Sequence, residues 1–180
     1  ITDHVLRTVG RRTGLVGTIA IRIGDDEDRH ASRQTTPESN DVHKYLRQMV
    51  DADVDWAVLE ATSHGLGMHR LDHVEFQIGA VTNITHEHLD YHGTIEAYRS
   101  AKGRLLERVA VNQGIVVLNA DDEGAMAVAP LATGATVLRF SAIGAESDIR
   151  ATAIEASGSG TSFWLEASGW NGEQVLLPLI

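Results

Sequence analysis

Apolar positions recur along this chain in two different periods. In the opening "ITDHVLRTVG", Ile1, Val5, Leu6 and Val9 fall at helical spacing and stop at Gly10, a common C-terminal helix signal. Residues 14–23, "GLVGTIAIRI", instead make a glycine-bounded run rich in β-branched side chains, which predicts a buried strand. The charged stretch from Gly24 to Gln34 reads as a surface loop. "TTPESNDVHKYLRQMV" predicts a helix starting directly after Thr35 and Thr36: Thr36 can cap it, Pro37 suits its first position, and Val42, Tyr45, Leu46, Met49 and Val50 form one apolar stripe. Strand-like runs follow at 54–61 and 74–84, then a helix at 94–109 and strands at 114–120 and 136–140. This alternation predicts an α/β fold with a mostly parallel, doubly wound sheet. From Asp148 the pattern changes to three short alternating segments separated by "SGSG" and "SGWNG", which predict a small C-terminal antiparallel sheet. Residues 1–147 thus read as an α/β core and 148–180 as a small β subdomain.

Composition narrows the chemistry. The 180 residues, 43% of them hydrophobic, suit one domain with a core of its own. No cysteine occurs, so any metal must be held by nitrogen and oxygen donors, which favours hard cations. A formal net charge of −10 disfavours nonspecific nucleic-acid binding, which depends on Lys and Arg neutralising phosphates. No apolar run approaches the roughly 18 residues of a membrane span, and a cytoplasmic protein is the expectation.

Three polar clusters follow predicted strands: Glu60 to His64, Asn83 to His92, and Asn119 to Asp122. In open parallel sheets ligands bind beyond the carboxyl ends of strands, so the three are expected to converge on one crevice. The cluster "HEHLDYH" has His86, His88, Asp90 and His92 in H-x-H-x-D-x-H order, one position away from the H-x-H-x-D-H of some zinc hydrolases. It equally suits a capped polar turn. Lys102 shares a helix face with Tyr98, Leu105, Leu106 and Val109, so it is expected to point inward. Such a lysine either extends its ammonium to the surface or, once desolvated, becomes a neutral amine able to take up carbon dioxide. The resulting carbamate would offer Mg²⁺ an anionic oxygen beside Glu60 and a histidine.

Taken together, "TTPES", "LEATSHGLGMHRLD", "TNITHEHLDYHGTIEAYRSAKGRLLE" and "VLNADDE" resemble the central, ATP-binding domain of Mur ligases, most closely the type that adds an amino acid to UDP-N-acetylmuramoyl-L-alanyl-D-glutamate. The resemblance runs in order from about Leu6 to Asp122 and more weakly to the end. It implies an ATP-dependent amide-bond ligase of peptidoglycan synthesis that works through an acyl phosphate, with ATP and Mg²⁺ as cofactors. Carried over by position, Glu60, His88 and a carbamylated Lys102 would place the metal. Asn83 and His92 would shape the reaction loop, and Thr35, Thr36, Ser63 and Arg70 would hold the UDP-muramoyl-dipeptide. Asn119 would contact adenine.

Some positions depart from the family pattern. Thr62 replaces a serine, Glu87 an aspartate, His86 a frequent arginine, and Met68 a polar residue of some relatives. The family's glycine-rich G-T-x-G-K-T phosphate loop does not occur in these residues, nor do the flanking uridine-binding and amino-acid-selecting domains. A fragment that is inactive alone is the expectation. The competing readings are a related ligase such as folylpolyglutamate synthase, a zinc hydrolase using His86 and His88, and a binding module without catalysis.

Overall fold

The computed structural model describes residues 1–28, 34–85 and 87–178, and its chain divides into two compact units, Ile1–Val74 and Glu75–Ile180. In the first, α1 (Thr2–Thr8) precedes β1 (Thr13–Val16), β2 (Ile21–Ile23) and β3 (Asp26–Asp28). Then come α2 (Ser39–Asp51), β4 (Trp56–Leu59) and α3 (Ser63–Gly67). The strands form one sheet in the order β3-β2-β1-β4, with β1 parallel to β4 and antiparallel to β2. The run 14–23 is therefore two strands of a hairpin. Gly17 donates its N–H to the Ala20 carbonyl at 3.2 Å, and the chain reverses inside what the apolar pattern presents as one continuous strand.

Two helices also differ from the pattern. Of the predicted apolar stripe Ile1, Val5 and Val9 are exposed and Leu6 is half-buried, and the residue α1 buries is Asp3. Its partners explain why: Asp3 accepts from Thr13 Oγ at 2.7 Å and pairs closely with the Arg22 guanidinium, which also reaches Glu27 at 3.2 Å. Helix α2 begins at Ser39 with Glu38 as its N-cap, later than Thr36. Thr36 is buried in a different network, described below. Val42 and Met49 carry the buried face of α2 as expected, whereas Val50 is exposed.

The second unit holds β5 (Ile78–Val81), α4 (Leu89–His92), α5 (Ile95–Val111), β6 (Ile115–Asn119), α6 (Glu123–Ala127) and β7 (Thr136–Ser141). It ends in β8 (Ile149–Ser157), β9 (Gly160–Ala167) and β10 (Trp170–Leu177). One six-stranded sheet runs β10-β9-β8-β7-β6-β5. Strands β5 to β8 pair in parallel, and β8, β9 and β10 continue antiparallel, as the turn signals at 157–160 and 168–172 predict. Helix α5 starts at a capping contact, Ala97 N–H to Thr94 Oγ at 3.1 Å, and buries Tyr98, Leu105, Leu106 and Val109. Those side chains and Val81, Val116 and Leu118 of the strands form the core of this unit.

Candidate functional site

At the carboxyl ends of β1 and β4 the first unit gathers a hydroxyl-rich cluster. Glu60, one residue past β4, accepts at one carboxylate oxygen, Oε2, from the Thr18 N–H at 3.0 Å and the Thr18 hydroxyl at 2.9 Å. Thr35 Oγ lies 2.9 Å from the same hydroxyl. Thr36 Oγ donates to the Glu60 carbonyl at 2.7 Å and accepts from the Thr62 N–H at 3.0 Å. Thr62 in turn caps α3 by accepting from the Gly65 N–H at 3.0 Å. Gly65 permits this packing, since a Cβ there would lie 2.6 Å from Thr36 Cγ2. The hydroxyl that stands in place of serine at position 62 is thus a helix cap and a link to Thr36.

Ser63 is buried, and its Oγ has no partner among the described residues. Arg70 is held by Glu38 at 2.8 Å, Gln34 Oε1 at 2.7 Å, the Thr36 carbonyl at 3.0 Å and Met68 Sδ at 3.3 Å. Its Nε is buried without a partner among the described residues. The guanidinium is oriented before any ligand arrives, and an anionic ligand would compete with the Glu38 carboxylate.

In the second unit the loop after β5 and the start of α5 surround one ring. Tyr98 is 1% exposed. The His88 ring stands at 6.1 Å centroid to centroid and 68°, and the His92 ring at 5.3 Å and 46°. His88 has φ 56° and sets the N-terminal end of α4, and Gly93 closes that helix at φ 76°. Lys102, one turn after Tyr98, is half-buried; its Nζ lies 5.3 Å from the Tyr98 centroid and donates to the Asn83 carbonyl at 3.2 Å. The lysine thus stays beside Tyr98 on α5 and turns its ammonium toward that ring's face and a carbonyl. Asn83 takes part through its backbone oxygen.

The ends of β6 and β7 complete this unit's polar rim. Asn119 donates from Nδ2 to the Thr82 carbonyl at 2.9 Å and accepts from the Asp121 N–H at 3.0 Å, and Asp122 Oδ1 accepts from the Ile84 N–H at 2.9 Å. These bonds bring the second and third sequence clusters together. Asp121 accepts from Ser141 Oγ at 2.7 Å and from the N–H groups of Ala142 at 2.6 Å and Ile143 at 3.2 Å. The Ser141 hydroxyl, and then these amides, outweigh burial and hold the Asp121 carboxyl below its ordinary value. A depressed folded value stabilises above the ordinary carboxylate range, and that contribution is lost as pH falls through the folded value. Hydrogen exchange should therefore show the Ala142 and Ile143 amides protected at neutral pH and released on acidification. Asp121→Ala, which removes both acceptor oxygens, should release them already at neutral pH; unchanged protection in that variant would exclude the clamp.

Each unit by itself offers a donor of a kind that suits a hard divalent cation. No donor among the described residues is directed at the second Glu60 oxygen, and His88 is an exposed imidazole. Among the described residues no three His, Asp or Glu side chains cluster to hold a metal. Mg²⁺ needs only one or two protein ligands beside waters and phosphate oxygens, whereas a zinc hydrolase needs about three. His86, on which the zinc reading leans, lies outside the described residues. No helix among the described residues is long and apolar enough to cross a membrane.

The model of the Mur ligase middle domain matches residues 1–180. The chain belongs to that family. The UDP-N-acetylmuramoyl-L-alanyl-D-glutamate–2,6-diaminopimelate ligase of Bacillus velezensis is 39% identical over 170 residues, covering 92% of this chain and 34% of that protein. A solved structure of a ligase with the same name superposes with a TM-score of 0.86 at 27% identity, over 98% of this chain and 36% of that one. The apo form of L. casei FPGS gives a TM-score of 0.64 at 20% identity, over 99% of this chain and 49% of that one, a likeness of fold. This Mur ligase middle domain spans about a third of the length of the curated relatives it matches.

Within it, Thr35, Thr36 and Glu60 share one network, and Ser63 and Arg70 lie on or just after α3 in the same unit. His88, His92 and Lys102 gather around Tyr98, the Asn83 carbonyl meets Lys102, and Asn119 bonds the carbonyl of Thr82, next to Asn83 in the chain. Sequence reasoning passed over Thr18, Glu38 and Tyr98. Thr18 sits inside an apolar run and Tyr98 counts as one apolar position among several, so neither carries a polar signal; Glu38, beside Thr36 and Pro37, reads as part of a helix start.

Proposed function

We propose that this chain is the nucleotide- and Mg²⁺-binding middle part of a cytoplasmic, ATP-dependent ligase that joins an amino acid to UDP-N-acetylmuramoyl-L-alanyl-D-glutamate. The family match over all 180 residues carries this reading, and the name of the Bacillus velezensis relative points to 2,6-diaminopimelate as the amino acid. ATP phosphorylates the substrate's terminal carboxylate, the incoming amine attacks the acyl phosphate, and phosphate leaves. When bound, Mg²⁺ neutralises phosphate charge.

The chain's own residues divide the remaining work. In the first unit Glu60 offers a carboxylate oxygen fixed by Thr18, and in the second His88 offers an imidazole nitrogen; each suits one metal ligand position. Arg70 and the partnerless Ser63 hydroxyl are suited to anionic and polar groups of the muramoyl peptide, with Thr35 and Thr36 lining that end. His92 and the Asn83 carbonyl hold the loop beside Lys102, and Asn119 fixes the β6 end where adenine would lie. Carbamylation of Lys102 belongs to this proposal. It joins the free amine to carbon dioxide with release of a proton, and it would end the ammonium's contact with the Asn83 carbonyl while the lysine stem stays on the helix face it shares with Tyr98.

The test is ADP release by the full-length protein, which should require the UDP-muramoyl-dipeptide, diaminopimelate and Mg²⁺ together. Release with a folate substrate and none with the muramoyl peptide would overturn the reading. Residues 1–180 contain no G-K-T phosphate loop, so this chain by itself is expected to hydrolyse no ATP with Mg²⁺ and bicarbonate present. Steady turnover would refute that expectation.

A further inference from the structure

We infer that Tyr98 is the positioning residue of the reaction centre, a single buried ring against which His88, His92 and Lys102 are set; the inference rests on the function proposed above. All three side chains lie within 6.1 Å of that ring by centroid or Nζ distance, and they approach it from two elements. His92 is the last residue of α4, a helix of only four residues, and His88 is its N-cap. Lys102 comes from α5 at i+4 from Tyr98, the spacing that stacks two side chains on one helix face.

The ring is fixed because Tyr98 is fully buried in the first turn of α5, above Leu105, Leu106 and Val109 of the same face. An aromatic face carries negative potential and its edge positive. The Lys102 ammonium meets the face, and its reach to the Asn83 carbonyl ties α5 to the loop after β5. The His88 ring meets the Tyr98 ring in an edge-on arrangement, and the His92 ring is tilted against it. The His92 ring also meets Tyr91 edge-on at 4.7 Å, but Tyr91 is exposed, so Tyr98 is the buried one of these two ring neighbours. Replacing the ring by an aliphatic side chain would keep the core filled while removing both the flat support and the quadrupole.

The experiment compares Tyr98→Phe, Tyr98→Leu and, as a core control remote in role, Leu106→Ala, all in the full-length protein. Half-saturating Mg²⁺ concentration and kcat are measured, with histidine-ring NMR resonances assigned through His88→Gln and His92→Gln. Tyr98→Leu is expected to shift Mg²⁺ half-saturation or kcat by about 10- to 100-fold, the usual effect of losing a residue that orients a ligand, to remove the ring-current shift of His88 and to reduce that of His92, whose ring also meets Tyr91. Tyr98→Phe should track the wild type, and Leu106→Ala should lower melting temperature without moving the Mg²⁺ dependence. Wild-type Mg²⁺ dependence and histidine shifts in Tyr98→Leu would overturn the inference, as would the same Mg²⁺ change in Leu106→Ala. Should the wild type show no Mg²⁺-dependent ADP release, the function proposed above fails. The His88 shift then decides on Tyr98: its loss in Tyr98→Leu supports the positioning role, its persistence excludes it.

Discussion

Lys102→Met in the full-length protein is expected to lower kcat by about 10²- to 10³-fold, the range seen when one fixed electrostatic group is removed from a reaction centre. Methionine matches the length of the lysine stem, so packing along α5 is kept and the loss reports on the head group. That head group has a defined place: it donates to the Asn83 carbonyl at 3.2 Å and faces the Tyr98 ring. Lys102→Arg separates two roles. Arginine keeps the positive charge but cannot give up a proton to become a nucleophilic amine. If a fixed cation is what the reaction needs, the arginine variant should fall much less than the methionine variant. If a carbamate is needed, both should be equally impaired, and a ¹³C signal from labelled bicarbonate should appear in the wild type alone. Activity within about threefold of wild type in Lys102→Met, far short of that range, would remove Lys102 from the reaction centre.

Asp3→Ala is expected to destabilise the first unit by about 3 kcal/mol, the lower end of the usual cost of breaking a buried ion pair. Both side chains of the Asp3–Arg22 pair are only 10% exposed. The residual contact of Arg22 with Glu27 places the cost at the lower end, because the guanidinium keeps one partner. The Thr13 hydroxyl loses its acceptor in the same variant. Because α1, β1 and β2 meet at this carboxylate, the loss should appear first as faster hydrogen exchange at Leu15 and Arg22, which stand opposite each other in β1 and β2. Asp3→Leu combined with Arg22→Met should recover much of the stability, since apolar pairs often replace buried ion pairs without loss. Equal protection of β1 in wild type and Asp3→Ala would show that the pair contributes little. High salt should not mimic the substitution, because a buried pair is poorly screened.

The two predictions draw on features that differ in how readable they were. Lys102 was visible because a lysine on the face made by Tyr98, Leu105, Leu106 and Val109 breaks the helical period, and α5 does bury those four neighbours. Its direction was not visible: a long flexible stem can end inward or outward, and the Asn83 carbonyl and Tyr98 ring, 19 and 4 residues away, decide it. Asp3 gave no signal of burial, since a helix pattern assigns acidic residues to the solvent side. Its burial follows from Thr13 and Arg22, which only the hairpin of β1 and β2 brings within reach.

By itself the sequence determined the α/β class, the two long helices and the main strands after residue 36, the antiparallel C-terminal strands and the family, but not the short helices α3, α4 and α6. Each of these rests on local information: apolar period, turn residues, and motifs whose members sit at fixed offsets. Only the tertiary structure decided that 14–23 folds back on itself, that Thr36 serves the Glu60–Thr62 network and not a helix start, and that Tyr98 underlies two histidines and a lysine. Those outcomes depend on partners distant in the chain, where a hydrogen bond or ring contact of fixed geometry outweighs a local preference of about 1 kcal/mol.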